Sequence, residues 1–102
     1  MIVSSKLRLS AQRAFLGRIR PEMRLVKIKL IGDNIHLSVV LSREPTDRIR
    51  DDVSSAAAEI IADFPAAKKI EESLQVNTGP VLAEDVLAEG WIFRRAESDR
   101  AQ

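Results

Sequence analysis

Residues 23–41, Met23-Arg24-Leu25-Val26-Lys27-Ile28-Lys29-Leu30-Ile31-Gly32-Asp33-Asn34-Ile35-His36-Leu37-Ser38-Val39-Val40-Leu41, decide the fold. Val26, Ile28 and Leu30 alternate with Lys27 and Lys29, the period of two that gives a strand one buried face and one wet face. Gly32-Asp33-Asn34 follows; these residues tolerate tight turns, and three of them are enough to join antiparallel neighbours. Beyond the turn, Ile35, Leu37, Val39 and Leu41 alternate with His36, Ser38, Val40 and Ser42. The stretch reads as a β-hairpin whose outward face carries Lys27, Lys29, His36, Ser38 and Ser42.

Working outward, the flanks are helical. Leu7, Ala11, Ala14 and Phe15 recur at spacings of three and four, which predicts a helix over about Ser5–Leu16. Ser4 or Ser5 can cap its start, Gly17 can end it, and Pro21 bars its continuation. Downstream, Thr46 is the expected cap of a second helix, with Asp47 in the first turn where a carboxylate suits the helix dipole. Ile49, Val53, Ala56, Ala57, Ile60, Ile61 and Phe64 form its apolar stripe, Ala56, Ala57 and Ala58 allow close approach to a sheet, and Pro65 ends it. Ile70, Glu72, Leu74 and Val76 then alternate with Glu71, Ser73 and Gln75 as a third strand. Gly79-Pro80 breaks the pattern, residues 81–88 read as a loop or a short helical turn, and Gly90-Trp91-Ile92-Phe93-Arg94-Arg95 reads as a fourth strand. Trp91 and Phe93 are expected to share a strand face and to anchor the core, with an interface anchor as the alternative.

The order α-β-β-α-β-β implies an α+β fold, two helices packed on one face of a four-stranded, mainly antiparallel sheet. The length of 102 residues fits a single domain over 1–102, with residues 96–102 as a frayed tail. Without cysteine there is no disulfide, thiolate nucleophile or cysteine-ligated metal. The first residues hold no apolar run of signal-peptide length and no segment approaches membrane-spanning length, so the expected location is cytoplasmic.

Net charge is +1, but it is unevenly laid down. Residues 1–50 hold 11 Lys/Arg and 4 Asp/Glu, a net of +7; residues 51–102 hold 5 and 11, a net of −6. The halves either form opposed surface patches or pair across the fold, and pairing is the favoured expectation.

Chemistry finds little purchase. The single His36 has no adjacent carboxylate and nucleophile for general-base work and no second ligand for a metal. Asp51-Asp52, Glu71-Glu72 and Glu84-Asp85 are neighbours in sequence, and neighbours on a helix or strand point in different directions. Arg13, Arg18, Arg20, Arg24, Lys27 and Lys29 are basic, yet the strands offer no aromatics for base stacking beyond Trp91 and Phe93, which disfavours nucleic acid. The four glycines stand apart and build no phosphate loop. No catalytic residue, metal ligand or cofactor is expected.

Three segments carry a resemblance: Leu9-Ser10-Ala11-Gln12-Arg13-Ala14-Phe15-Leu16-Gly17-Arg18-Ile19 with Pro21, Glu59-Ile60-Ile61-Ala62-Asp63-Phe64-Pro65, and Trp91-Ile92-Phe93-Arg94-Arg95. Together they resemble a small bacterial α+β family met in toxin–immunity loci of the colicin and contact-dependent-inhibition kind. The resemblance spans most of the chain, and its motifs are helix ends and a terminal strand. It implies a non-enzymatic immunity protein that binds and inhibits a toxin. On that reading, Asp63, Glu71, Glu72, Glu84 and Asp85 are the residues expected to face a basic protein partner. The alternative is a structural or regulatory domain that forms a homodimer through an exposed strand edge.

Overall fold

Alternation along residues 23–41 produces the expected hairpin, β1 (Met23–Ile31) and β2 (Asn34–Leu41), paired antiparallel with Ile31 opposite Asn34. Gly32 adopts φ +60° at the first position of the two-residue link, where an L side chain would be strained. The computed structural model describes residues 5–79 and 91–94, and adds helices α1 (Ser5–Ala14) and α2 (Asp47–Ala62) and strands β3 (Lys69–Val76) and β4 (Trp91–Arg94). The element order is α-β-β-α-β-β, as the sequence implied.

The sheet order is β3-β2-β1-β4. The pairings β1–β2 and β1–β4 are antiparallel, whereas β2–β3 is parallel over eight consecutive residue pairs from Asn34–Lys69 to Leu41–Val76. The parallel pair follows from topology: α2 lies between β2 and β3 in the chain and carries it back to the starting end of the sheet. The fold is thus α+β, with a mixed sheet that is mainly antiparallel.

The core lies between the sheet and the two helices. Val26, Ile28, Ile35, Leu37, Val39 and Leu41 of the hairpin meet Leu7, Ala11 and Ala14 of α1 and Ile49, Val53, Ala56, Ala57 and Ile60 of α2. Ile70 and Leu74 of β3 and Phe93 of β4 pack at its margin. Ala58, expected to face the sheet with Ala56 and Ala57, is exposed on the outer side of α2, because a third consecutive residue leaves the buried arc. α1 stops at Ala14 rather than Leu16: the Leu16 N–H reaches back only three residues to Arg13 O, at 3.1 Å, and Gly17 takes φ +78°. Phe15 still enters the core while Leu16 stays 74% exposed. Thr46 caps α2 as expected, its Oγ1 accepting the Ile49 N–H at 3.2 Å.

The register of β1 against β2 shifts between Met23 and Leu25. Met23 therefore stays in the helix-side core, while Leu25, opposite Val40, belongs to the reverse face and is buried there. Arg24, at the shift, is also buried, and its guanidinium donates to the carbonyls of Asn77 and Gly79, holding the chain that leaves β3. The expected cap at Ser4, the segment 81–88, the facing of the Trp91 side chain and the tail 96–102 lie outside the described residues.

Candidate functional site

The reverse face of the sheet is set by register and carries Lys27, Lys29, His36 and Ser38 as the sequence assigned them, whereas Ser42, also assigned to it, lies one residue beyond the end of β2. Lys29 stands opposite His36, which stands beside Glu71; Lys27 stands opposite Ser38, which stands beside Ser73. These rows run across three strands. Lys27, Lys29, His36 and Ser38 are partly accessible, and Glu71 and Ser73 are exposed.

His36 finds in three dimensions a carboxylate that its local sequence lacks. Its Nδ1 lies 3.6 Å from Glu71 Oε1, an ion-pair separation longer than a hydrogen bond. Sequence reasoning missed the contact because the parallel β2–β3 register joins residues 35 positions apart; the signal that would have found it is the β-α-β crossover itself. Glu71 also accepts from Lys69 Nζ at 3.0 Å, and this bond, with a smaller effect of His36, holds its carboxyl below the usual glutamate range. Among the described residues, no group of three or more His, Asp or Glu side chains is arranged to hold a metal ion.

The acidic residues expected to meet a partner occupy separate surroundings. Asp63 follows α2 as its C-terminal cap, accepts the Ser10 hydroxyl at 2.6 Å and lies 3.7 Å from Arg13, so it ties α2 to α1. Glu72 points to the helix side of β3, where it accepts from Ser54 Oγ at 2.9 Å. Glu71 points to the reverse side. Glu71 and Glu72 are thus neighbours on one exposed strand but face opposite ways. Glu84 and Asp85 lie outside the described residues.

Part of the charge laid down unevenly along the chain is paired across the two helices. Arg13, Arg18 and Arg20, in and just after α1, meet Asp63, Glu59 and Asp52 of α2 and its cap. Positions 52, 59 and 63 fall on one line of a helix, so α2 presents a carboxylate row to the arginines. The Arg20–Asp52 contact is the best sheltered, with Nε donating at 2.7 Å, and this hydrogen bond holds the Asp52 carboxyl below its usual range. Arg13, Arg18, Arg20 and Arg24 of the basic stripe considered for nucleic acid are engaged here and in the Arg24 clasp, while Lys27 and Lys29 stand on the reverse face of the sheet.

Among the described residues, two grooves flank this framework. One, of about 340 Å³, opens at the hairpin tip between Leu7, Leu30, Ile35, Phe64, Pro65 and Ala67. The other, of about 380 Å³, lies along the outer side of β3 between Arg50, Ser54, Glu72 and Leu74. No helix among the described residues is long and apolar enough to cross a membrane.

No curated protein matches the chain. The family model described as MafI2 immunity protein matches residues 4–97, a span that takes in both helices and all four strands. The match agrees with the resemblance to toxin–immunity loci, and an immunity role follows in general terms: the chain belongs to the MafI2 immunity protein family.

Proposed function

We propose that the chain is a non-enzymatic inhibitor that acts in the cytoplasm by binding a cognate toxin protein and covering its working surface. Family membership carries this reading. A sheet face and a strand edge that the chain's own helices leave accessible support it, because a binding protein of this size must present its partner with surface that is not already consumed by its core.

The partner-facing residues in this reading are Asp63, Glu71, Glu72, Glu84 and Asp85, which would complement a basic toxin surface. Glu71 and Glu72 contribute most among the described ones, since both lie exposed on the edge strand, whereas Asp63 ties α2 to α1. Carboxylates on both faces of an exposed edge strand steer association with a basic surface and make it salt-sensitive.

The test is co-expression with the toxin domain encoded in the same locus, followed by stopped-flow association of the two purified proteins. Protection of growth and a complex whose on-rate falls about tenfold for Glu71→Lys/Glu72→Lys at low salt is the expected result. Failure of the wild-type chain to protect or to bind would sink the reading. Unchanged association of the double variant would remove Glu71 and Glu72 from the interface.

A further inference from the structure

The two edges of the sheet differ in how they are protected. β4 has four residues, and a very short edge offers little to pair with. β3 has eight, no proline and no break in its register against β2, so it presents a long regular row of backbone groups. The Asn77 N–H donates to Leu41 O on the β2 side. Alternation along the strand then turns the N–H and C=O groups of Ile70, Glu72, Leu74 and Val76 outward.

We propose that β3 pairs antiparallel with β3 of a second copy of this chain, about a two-fold axis through Ser73, to join two sheets into one. The inference goes beyond the toxin-binding reading and does not depend on it. The sequence of the strand rules out two registers and is compatible with the one proposed. An axis at Glu71 would set that carboxylate against its own copy, and an axis at Glu72 would do the same there; like charges directly opposite destabilise a strand pair. An axis at Ser73 sets Ser73 against Ser73, Glu72 against Leu74, Glu71 against Gln75, Ile70 against Val76 and Lys69 against Asn77. The charged half of each strand thus lies along the uncharged half of the other.

Two further features agree with this register. The outward-facing residues Ile70, Glu72, Leu74 and Val76 fall opposite one another, as the hydrogen-bonded pairs of an antiparallel ladder must. Arg50 lines the same groove as Leu74, and its guanidinium has no ion pair among the described residues. With Leu74 opposite the partner's Glu72, that groove becomes the place where Arg50 meets a carboxylate of the second copy. Pairing also covers Val76, which is 40% exposed in the single chain.

Sedimentation equilibrium of the whole chain, from about 1 μM to about 1 mM, tests the proposal. Wild-type protein is expected to pass from monomer to dimer within that range. Ser73 is exposed, so Ser73→Glu and Ser73→Lys leave the fold intact, as circular dichroism will verify. Each variant alone should dimerise about tenfold more weakly, and an equimolar mixture should recover a heterodimer. Monomer throughout the range overturns the proposal. So does a dimer that is indifferent to both substitutions, which would place the contact elsewhere. Protection of β3 only when a toxin is added would likewise assign this edge to the toxin and not to a second copy.

Discussion

On the helix-covered side of the sheet, Val26, Ile28, Leu37 and Val39 are shut away from water, while Lys27, Lys29, His36 and Ser38, one residue along the same strands, keep partial access to it. Backbone and register are common to both sets, so the contrast comes from alternation, which turns one set toward the helices and the other away from them. The covered side is held by non-directional burial, which tolerates few changes of volume. The reverse side is held by register, which brings chosen polar groups into rows and leaves their chemistry open to change. Close-packed apolar groups and accessible polar groups thereby lie on opposite faces of one strand pair.

Substitutions can break or sharpen that contrast. The largest effect is expected for Ile28→Ala, where a fully buried side chain is cut away beneath both helices; the loss should be roughly 2–5 kcal/mol, read from the denaturant midpoint at constant slope. A midpoint shift no larger than that of a surface change would mean that the core is not organised around the hairpin.

A smaller effect, confined to a pH window, belongs to the Arg20–Asp52 contact at the helix margin. Asp52 titrates below its ordinary value of 3.8 in the folded chain because Arg20 donates to it. A carboxyl with a lowered folded pKa contributes stability that is present above the unfolded value and lost as pH falls through the folded one. Asp52→Asn should therefore be less stable than wild type at pH 7, and the two unfolding curves should converge below about pH 4. Parallel curves down to acid would show that the pair does not contribute.

The smallest effect is expected one residue from the largest. Lys27→Ala, on the reverse face, should change stability by no more than about 0.5 kcal/mol in the same denaturant experiment. A loss comparable to that of Ile28→Ala would show that the reverse face is as tightly built as the covered one.

The parts of the fold legible in the sequence were those encoded by local periodicity. The hairpin, the Thr46 cap, the apolar stripe of α2 and the order of elements all follow from spacing within a few residues. What local spacing does not encode is which strands become neighbours. The parallel β2–β3 pairing depends on where α2 delivers the chain, and it creates the His36–Glu71 contact. The tie of Asp63 to Ser10 is hidden for the same reason, since its partners lie 53 positions apart. The bulge at Arg24 breaks alternation by a single residue, a shift that the pattern of apolar side chains around Met23 and Leu25 does not announce. Charge was legible only in part: opposite halves were plain in the composition, whereas the row of carboxylates on α2 that receives Arg13, Arg18 and Arg20 needed the helices to be packed.

The sequential order of charge bears on how the chain is made. The arginines of α1 and its following loop leave the ribosome well before the carboxylates of α2, so the nascent chain is for a time a strongly cationic segment beside an anionic ribosomal surface. The central hairpin is complete at that stage, while both strands that flank it, β3 and β4, have yet to be synthesised. Synthesis of this sheet therefore runs from its middle strands outward, and the chain still carries a net +4 when the second helix is complete, reaching neutrality only at Glu89.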